Sequence, residues 1–272
     1  MEVYEVNAFT RNNKGGNLAG VIIMDNDLSI YKKQEVASIL NYSETAFIED
    51  LGDNHFNTSF FTPTQEVDLC GHATIGSFWL LKKLNMLNGK EVFQHTKQGI
   101  LRVECSDYIF MEMSSTKILA SVSKEITSKL LNIDEHAILN TPRIIEVGLA
   151  DCMVIIKDLE TLQSINIDKT AMANYCLSNN FIGFHVATLD NHQYYVRNFA
   201  PSCGIDEESA TGTANGGMYV YLQSKGYIKG DETITFYQGD NMNSPSEIVV
   251  KNIDNKIWVG GQATLNKEFN IY

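Results

Sequence analysis

Residues 201–226 form a glycine-rich stretch that reads Pro201-Ser-Cys-Gly-Ile-Asp-Glu-Glu-Ser-Ala-Thr-Gly-Thr-Ala-Asn-Gly-Gly-Met-Tyr-Val-Tyr-Leu-Gln-Ser-Lys-Gly226. Acidic and small hydroxyl residues precede an apolar run that Gly226 ends, which predicts a helix from Gly212 to Gly226. A glycine inside a helix costs about 1 kcal/mol. Three glycines in the first turns therefore favour a helix start whose N–H groups stay open to a ligand, with hydroxyl residues as caps. A glycine-weakened surface helix is the alternative.

A second copy of this pattern lies earlier in the chain. It reads Phe61-Thr-Pro-Thr-Gln-Glu-Val-Asp-Leu-Cys-Gly-His-Ala-Thr-Ile-Gly76 and continues into an apolar helical run. The two copies share Phe-x-Pro, then acidic residues, then Gly-x-Ala, and the segments around them also repeat. A long-period repeat predicts two similar half-domains, and a ligand site is expected between them.

Composition limits the classes of function. The net charge of −12 and a pI near 4.9 argue against nucleic acid or an anionic membrane as a partner. We see no signal peptide and no apolar run of roughly 20 residues. The five cysteines are scattered without metal-ligand spacing, so we predict a reduced, cytoplasmic protein with no metal.

Three segments carry open alternatives. Glu44 lies where the helical pattern of Ser29–Leu40 gives way to a strand. It is either a solvated strand-end carboxylate or a general acid/base whose pKa burial raises towards neutrality. Asn17 follows two glycines and is either a turn residue or a cleft amide. Ser114–Ala120 is predicted to be the linker between the halves.

Motifs along nearly the whole chain resemble the PhzF-like phenazine-biosynthesis family, which shares the diaminopimelate-epimerase fold. The matching motifs are Val6-Asn-Ala-Phe-Thr10, Gly16-Asn-Leu-Ala-Gly-Val21, Ser43-Glu-Thr-Ala-Phe47, Phe61-Thr-Pro63, Cys70-Gly-His-Ala-Thr-Ile-Gly76, Gln98-Gly-Ile-Leu-Arg-Val103, Arg197-Asn-Phe-Ala-Pro201, Gly204–Ala214, Gln238-Gly239 and Val259-Gly-Gly-Gln-Ala263.

This resemblance implies an α+β fold of two pseudo-symmetric domains, each a curled β-sheet around a central helix. We expect residues 1–116 to form the N-terminal half, rejoined by a C-terminal strand over 259–272. Residues 117–258 would form the C-terminal half. The central helices would be Gly71–Leu84 and Gly212–Gly226, and their N-termini would point into a shared cleft.

The resemblance also implies roles for individual residues. Glu44 would be the catalytic general acid/base, with His72 and Glu208 as further catalytic residues. His72 would orient substrate or carry the proton; the alternative is a helix-start histidine bonded to backbone. The residues implied to bind substrate are Asn17, Cys70, Gly71, Ala73, Thr211, Gly212 and Thr213.

The sequence departs from the family pattern in places. Glu207-Glu-Ser-Ala-Thr-Gly-Thr-Ala214 stands where the family has Glu-Asp-Pro-Ala-Thr-Gly-Ser-Ala. Glu208 therefore replaces an aspartate, and Ser209 replaces a proline. Asn243-Ser-Pro-Ser246 also lacks an arginine of the family. These changes put an identical substrate geometry in doubt.

The function expected from the resemblance is a cofactor-independent isomerase that moves a proton between carbons of a small carboxylate-bearing metabolite. One alternative is a non-catalytic small-molecule or protein-binding member of the fold. The other is a cysteine-dependent epimerase, which would place a thiol before each glycine; here Cys70 precedes Gly71, but Thr211 precedes Gly212. A homodimer is expected because family members are often dimeric.

Overall fold

The structure of the chain, a computed structural model, describes residues 1–113 and 115–271. It divides into two compact units, which we describe separately. The first unit comprises Met1–Glu112 with Gly260–Tyr272, and the second comprises Met113–Val259. Each unit mixes strands and helices, and strands dominate, so the predicted α+β class is confirmed.

Strands supply the sheets of both units. In chain order they are β1 (Glu2–Ala8), β2 (Asn17–Met24), β3 (Glu44–Gly52), β4 (His55–Phe61), β5 (Glu66–Val67), β6 (Glu91–Thr96), β7 (Gly99–Cys105), β8 (Ile109–Glu112), β9 (Thr116–Ser121), β10 (Arg143–Val147), β11 (Leu149–Ile155), β12 (Gly183–Asp190), β13 (Gln193–Ala200), β14 (Ile205–Glu208), β15 (Ile234–Gln238), β16 (Ser246–Ile253), β17 (Lys256–Gly261) and β18 (Ala263–Asn270).

Helices lie in the connections between strands. They are α1 (Ile30–Leu40), α2 (Gly71–Lys83), α3 (Lys124–Leu131), α4 (Leu159–Ser164), α5 (Lys169–Ser178) and α6 (Gly212–Ser224). Ser29, Ser123, Asp158 and Asp168 cap α1, α3, α4 and α5 with side-chain oxygens. Cys70 and Thr211, which precede α2 and α6, form no such cap. Within the described ranges, none of the helices is long and apolar enough to cross a membrane.

The first unit is a sheet in the order β18-β1-β2-β3-β4-β6-β7-β8. Neighbours are antiparallel except β2/β3 and β4/β6, which are parallel. Parallel neighbours need a crossover connection, and α1 and α2 supply the two crossovers. α2 packs against β1, β2, β3, β7, β8 and β18, so the sheet curls around this helix.

The second unit repeats this topology. Its order is β9-β10-β11-β12-β13-β15-β16, with β11/β12 and β13/β15 parallel and the other neighbours antiparallel. α6 occupies the place of α2 and packs against β10, β11, β12 and β16. The predicted pair of similar halves, each with a central helix, is therefore confirmed.

Two glycines of α6 serve packing rather than ligand access. A Cβ on Gly217 would lie 2.4 Å from the Met153 methyl carbon, and one on Gly216 would lie 3.3 Å from Val259. Both glycines therefore let the helix approach the second unit's strands closely. The prediction that these glycines admit a ligand is wrong for Gly216 and Gly217.

Two boundary predictions also need correction. Residues 116–120 of the predicted linker lie in β9, which pairs with β10, because backbone N–H and C=O groups there find ladder partners; Ser114 lies outside the described residues. The predicted C-terminal strand over 259–272 is instead the end of β17 followed by β18, with a break at Gln262.

Candidate functional site

In the first unit, His72 lies at the centre of a polar cluster. His72 is the second residue of α2, and Glu44 is the first residue of β3. The His72 Nε2 lies 3.2 Å from Glu44 Oε2. On the other side of the ring, Nδ1 lies 3.4 Å from Cys70 Sγ and 3.4 Å from Asn17 Nδ2. The fold thus brings together four of the predicted site residues.

Local structure explains this convergence. Asn17 and Glu44 are the first residues of the parallel neighbours β2 and β3, so both lie at the N-terminal ends of these two strands, on one side of the sheet. α2 packs on these strands, and its second residue, His72, lies beside Glu44 and Asn17. Ser43, which sequence analysis did not single out, adds its hydroxyl 3.5 Å from His72 Nε2.

The pKa of Glu44 is lowered, whereas the general acid/base alternative predicted that burial would raise it. Burial raises the pKa of this carboxyl, but the charge of His72 and hydrogen bonds from His72, Ser43 and Cys70 outweigh burial and lower it. Burial alone would lower the pKa of His72, yet Cys70 and Glu44 raise it well above its ordinary value. Glu44 therefore stands as a carboxylate beside an imidazolium.

One oxygen of Glu44 is buried beside the His72 ring. Glu44 Oε2 lies 3.2 Å from His72 Nε2, although this contact does not meet strict hydrogen-bond geometry. A buried carboxylate is costly unless a cation pairs with it, and His72 is placed to be that cation.

Cys70 differs from a catalytic thiolate. Burial raises the pKa of its thiol, whereas reactive cysteines have a lowered pKa. Gly71 and Ala73 lie in the first turn of α2, where the N-terminal N–H groups attract an anion.

In the second unit, Glu208 and Thr211 form the counterpart before α6. The Thr211 hydroxyl donates to Glu208 Oε2 at 2.5 Å instead of capping the helix as predicted. The Gln238 side chain accepts from Thr211 N at 3.2 Å and donates to the Glu208 carbonyl at 2.8 Å. Gly212 and Thr213 are buried at the start of the helix.

A chain of buried side chains extends from this point. Asn215 Nδ2 donates to Gln238 Oε1 at 2.9 Å, and Asn215 Oδ1 lies 3.2 Å from His185 Nε2. His185 Nδ1 in turn lies 3.2 Å from the Asn198 amide. Burial lowers the pKa of His185 to about 4, so this ring is neutral. Sequence analysis missed His185, Asn198 and Asn215, because only the strand register brings them together.

The described residues contain one cluster suited to a metal ion. Ligand atoms of Glu44, Cys70 and His72 lie within 4.8 Å of one another. Thiolate, imidazole and carboxylate are ligands of Zn²⁺. The prediction of no metal stays a prediction.

Comparison with known proteins identifies the family. The sequence matches the family described as "Phenazine biosynthesis-like protein" over residues 6–268. The chain belongs to this family. An uncharacterized isomerase of Clostridium acetobutylicum is 35% identical over 81% of this chain and 78% of its own length. With relatives named as isomerases, this phenazine biosynthesis-like chain is an enzyme of the isomerase class.

Solved structures show the same fold. The crystal structure of a PhzF-family phenazine biosynthesis protein of Bacillus anthracis superposes with a TM-score of 0.89 at 22% identity and covers 100% of this chain and 99% of that one. A more distant likeness is a probable proline racemase of Agrobacterium radiobacter, with a TM-score of 0.67 at 10% identity; it covers 100% of this chain and 92% of that one. These likenesses confirm the diaminopimelate-epimerase-like fold.

Proposed function

We propose that this chain is a cofactor-independent isomerase that moves a proton between carbons of a small carboxylate-bearing metabolite. Glu44 is the general acid/base. The observation that carries the proposal is the buried Glu44 carboxylate, whose pKa is lowered and whose Oε2 lies 3.2 Å from His72 Nε2. An ionised carboxylate has the protonation state that a base needs.

The reaction needs one proton and no other reactant. Glu44 takes a proton from a substrate carbon: the C–H bond breaks, an O–H bond forms, and the electron pair spreads into the adjacent unsaturated or carbonyl group. Glu44 then returns a proton to another carbon, where the electron pair forms the new C–H bond. The carboxyl proton exchanges with solvent before its return, so deuterium enters the product. His72 stabilises the carboxylate before and after the transfer, through its position 3.2 Å from Glu44.

The first turn of α2, in the first unit, is assigned to the substrate carboxylate, and the first turn of α6, in the second unit, is proposed to bind an anion in the same manner. Neither helix has a side-chain cap from Cys70 or Thr211. A helix N-terminus favours an anion by about 0.3–1 kcal/mol, and more where partly buried. The backbone N–H groups of Gly71, Ala73, Gly212 and Thr213 are the proposed donors.

Deuterium incorporation tests this function. The protein, treated with a chelator and dialysed, is incubated in deuterium oxide with a panel of small unsaturated, hydroxy and amino carboxylic acids. Mass spectrometry then follows deuterium at carbon. We expect incorporation into a member of the panel, and a loss of about 10²–10⁴-fold in Glu44→Gln, the usual contribution of a general base.

Glu49→Gln, on the same strand β3, is the matched control and should exchange like the wild type. Equal rates in Glu44→Gln and wild type would refute the role of Glu44. Ligands that stabilise the fold without any exchange would favour a binding protein instead. Loss of exchange on alkylation of Cys70, with Glu44→Gln still active, would favour the cysteine-dependent epimerase, against which the raised pKa of Cys70 argues.

A further inference from the structure

His55 and His95 form a pair of side chains outside the cluster around His72. His55 Nδ1 lies 2.8 Å from His95 Nε2, although the two residues are 40 positions apart in the sequence. Both residues are partly exposed, and the function proposed above uses neither of them. Neutral imidazole is a common ligand of transition-metal ions, so two rings held this close form a candidate metal site.

The strand register explains how the two rings meet. β4 and β6 are parallel neighbours in which His55 faces Phe93 and Asn57 faces His95. Residues two apart on a strand point to the same face of the sheet, so His55 and His95 are diagonal neighbours on one face. The spacing of histidines along the chain could not show this pair, because only the register joins the two strands.

The packing of the first unit fixes the strands that carry the two rings. The side chains that follow His55 and precede His95 point to the other face, where Phe56 and Gln94 have 1% and 0% of their surface exposed. The His55 ring also stacks on the Phe93 ring, with centroids 4.8 Å apart and planes inclined by 16°. The rings are therefore held in place before any ion binds, which lowers the entropic cost of binding.

The spacing of the two nitrogens suits an ion that takes neighbouring ligands at right angles. Metal–nitrogen bonds are about 2.0–2.1 Å long, so two nitrogens 2.8 Å apart subtend an angle of about 85° at the ion. Octahedral Ni²⁺ and tetragonal Cu²⁺ hold neighbouring ligands near this angle, whereas tetrahedral Zn²⁺ needs the nitrogens farther apart. Affinity for nitrogen ligands also rises along the metal series towards Ni²⁺ and Cu²⁺.

The protonation of the pair allows an ion to replace the hydrogen bond. At present the N–H of one ring points at the lone pair of the other, whereas an ion needs a lone pair from both nitrogens. Moving that proton to the other nitrogen of its ring supplies the second lone pair. Neither ring has a further hydrogen-bond partner in the described part of the chain, so this change breaks only the bond between His55 and His95.

The charges around the pair also permit a cation. Arg102 on β7 faces Phe93 and is a positive group on this part of the sheet. Glu112 and Glu91 pair with it, with N···O distances of 2.5 and 3.8 Å. The net charge of the chain is −12, and a negative protein raises the local concentration of cations.

We propose that His55 and His95 form a binding site for a divalent transition-metal ion of the Ni²⁺ or Cu²⁺ type, with water in the remaining positions. The ion binds reversibly at a partly exposed face of the sheet. It takes no part in the proton transfer assigned to Glu44, so this site stands or falls independently of the proposed isomerase.

Titration of the full chain with Ni²⁺ tests the site, because Ni²⁺, unlike Cu²⁺, does not oxidise cysteine thiols. Isothermal titration calorimetry is run above about pH 7, where free imidazole is neutral. We expect the wild type to bind an ion whose affinity falls about tenfold or more in His55→Gln and in His95→Gln, since either change leaves a single ligand. His136→Gln replaces an exposed histidine and is the matched control, which should bind like the wild type.

The cluster around His72 is the competing site, and NMR of the wild type separates the two. Octahedral Ni²⁺ is paramagnetic, so the ring signals of His55 and His95 should broaden before those of His72 and His185, even if a variant fails to fold. First broadening at His72 would overturn the proposal, and so would an affinity that neither His55→Gln nor His95→Gln lowers. An equal loss of affinity in His136→Gln would mean unspecific binding by surface histidines and would overturn it as well.

Discussion

The starts of α2 and α6 have the same construction and opposite electrostatics. Each follows a short strand, lacks a side-chain cap, and places a buried polar residue against a glutamine on the next parallel strand: Thr74 with Gln94 on β6, and Asn215 with Gln238 on β15. In the first unit the nearby carboxyl, Glu44, is held ionised. In the second unit burial raises the pKa of another carboxyl, Asp151 on β11, to about 7.

A cationic partner distinguishes the two carboxyls. His72 stands at the second residue of α2, and Thr213 stands at the second residue of α6. With His72 the carboxyl gains a cation, and its pKa falls despite burial. Without a cation, burial and Glu208 raise the pKa of Asp151 to about 7. A shared backbone thus yields one carboxyl in the basic form and one in the acidic form.

The largest expected effect comes from Asp151→Asn. The pKa of Asp151 lies about 3 units above its ordinary value of 3.8, which corresponds to about 4 kcal/mol of unfolding free energy. Because the folded state binds this proton more tightly, the stabilisation is complete below about pH 4 and is lost as the pH rises to about 7. The asparagine amide cannot ionise, so the unfolding free energy of the variant should not fall over this range. At pH 8 the variant should be more stable than the wild type.

Urea unfolding at intervals from pH 4 to pH 8 measures this difference. Asp231→Asn replaces an exposed acid of the same unit and serves as the control. Its unfolding free energy should change with pH in the same way as that of the wild type. A constant difference between Asp151→Asn and wild type would mean that Asp151 does not change its protonation state differently in the folded and unfolded chain over this pH range. The contrast between the two helix starts would then disappear.

Replacing His72 tests whether this residue is the cation that lowers the pKa of Glu44. The lowered pKa of Glu44 means that its ionised form stabilises the folded state above its unfolded pKa, and that this stability is lost as the pH falls. In His72→Gln the Glu44 carboxylate is buried without its cation, which should cost about 3 kcal/mol at pH 6. Stability should then rise, rather than fall, as acid protonates Glu44.

His185→Gln is the comparison variant, because His185 is also a buried histidine but has its pKa lowered by burial from 6.5 to about 4. The unfolded chain therefore binds a proton at this residue that the folded chain does not, and the wild type loses stability as the pH falls from about 6.5 to about 4. The difference in unfolding free energy between wild type and His185→Gln should accordingly shrink between pH 7 and pH 5. If the stability of His72→Gln does not rise as the pH falls, Glu44 and His72 do not form an ion pair.

The sequence predicted the features that depend on residues close together in the chain. The motif copies at Gly71 and Gly212 predicted both central helices, which begin at the predicted residues, because glycine-containing starts and apolar runs are encoded over a few neighbouring positions. The predicted hydroxyl cap was wrong, since Thr211 does not cap α6. The family motifs gave the fold, and they named Glu44, His72, Cys70 and Asn17, which the structure brings within hydrogen-bonding range.

Features that depend on strand register escaped prediction. His55 and His95 meet only because β4 pairs with β6. The direction of the Glu44 pKa shift escaped for the same reason, since the distance to His72 depends on how α2 packs on β3. The sequence alone indicates burial of an acid at the end of a strand, and burial alone would raise the pKa, whereas the pKa of Glu44 is lowered.

The smallest expected effect tests whether Thr211 holds Glu208 as a carboxylate. Thr211→Val removes the hydroxyl that donates to Glu208 Oε2 at 2.5 Å, and a hydrogen bond to a charged group contributes about 1.5–3 kcal/mol. We expect a loss of about 2 kcal/mol in unfolding free energy at pH 7, with Thr211→Ser close to wild type. Equal stabilities of the valine and serine variants at pH 7 would show that Glu208 needs no donor from Thr211.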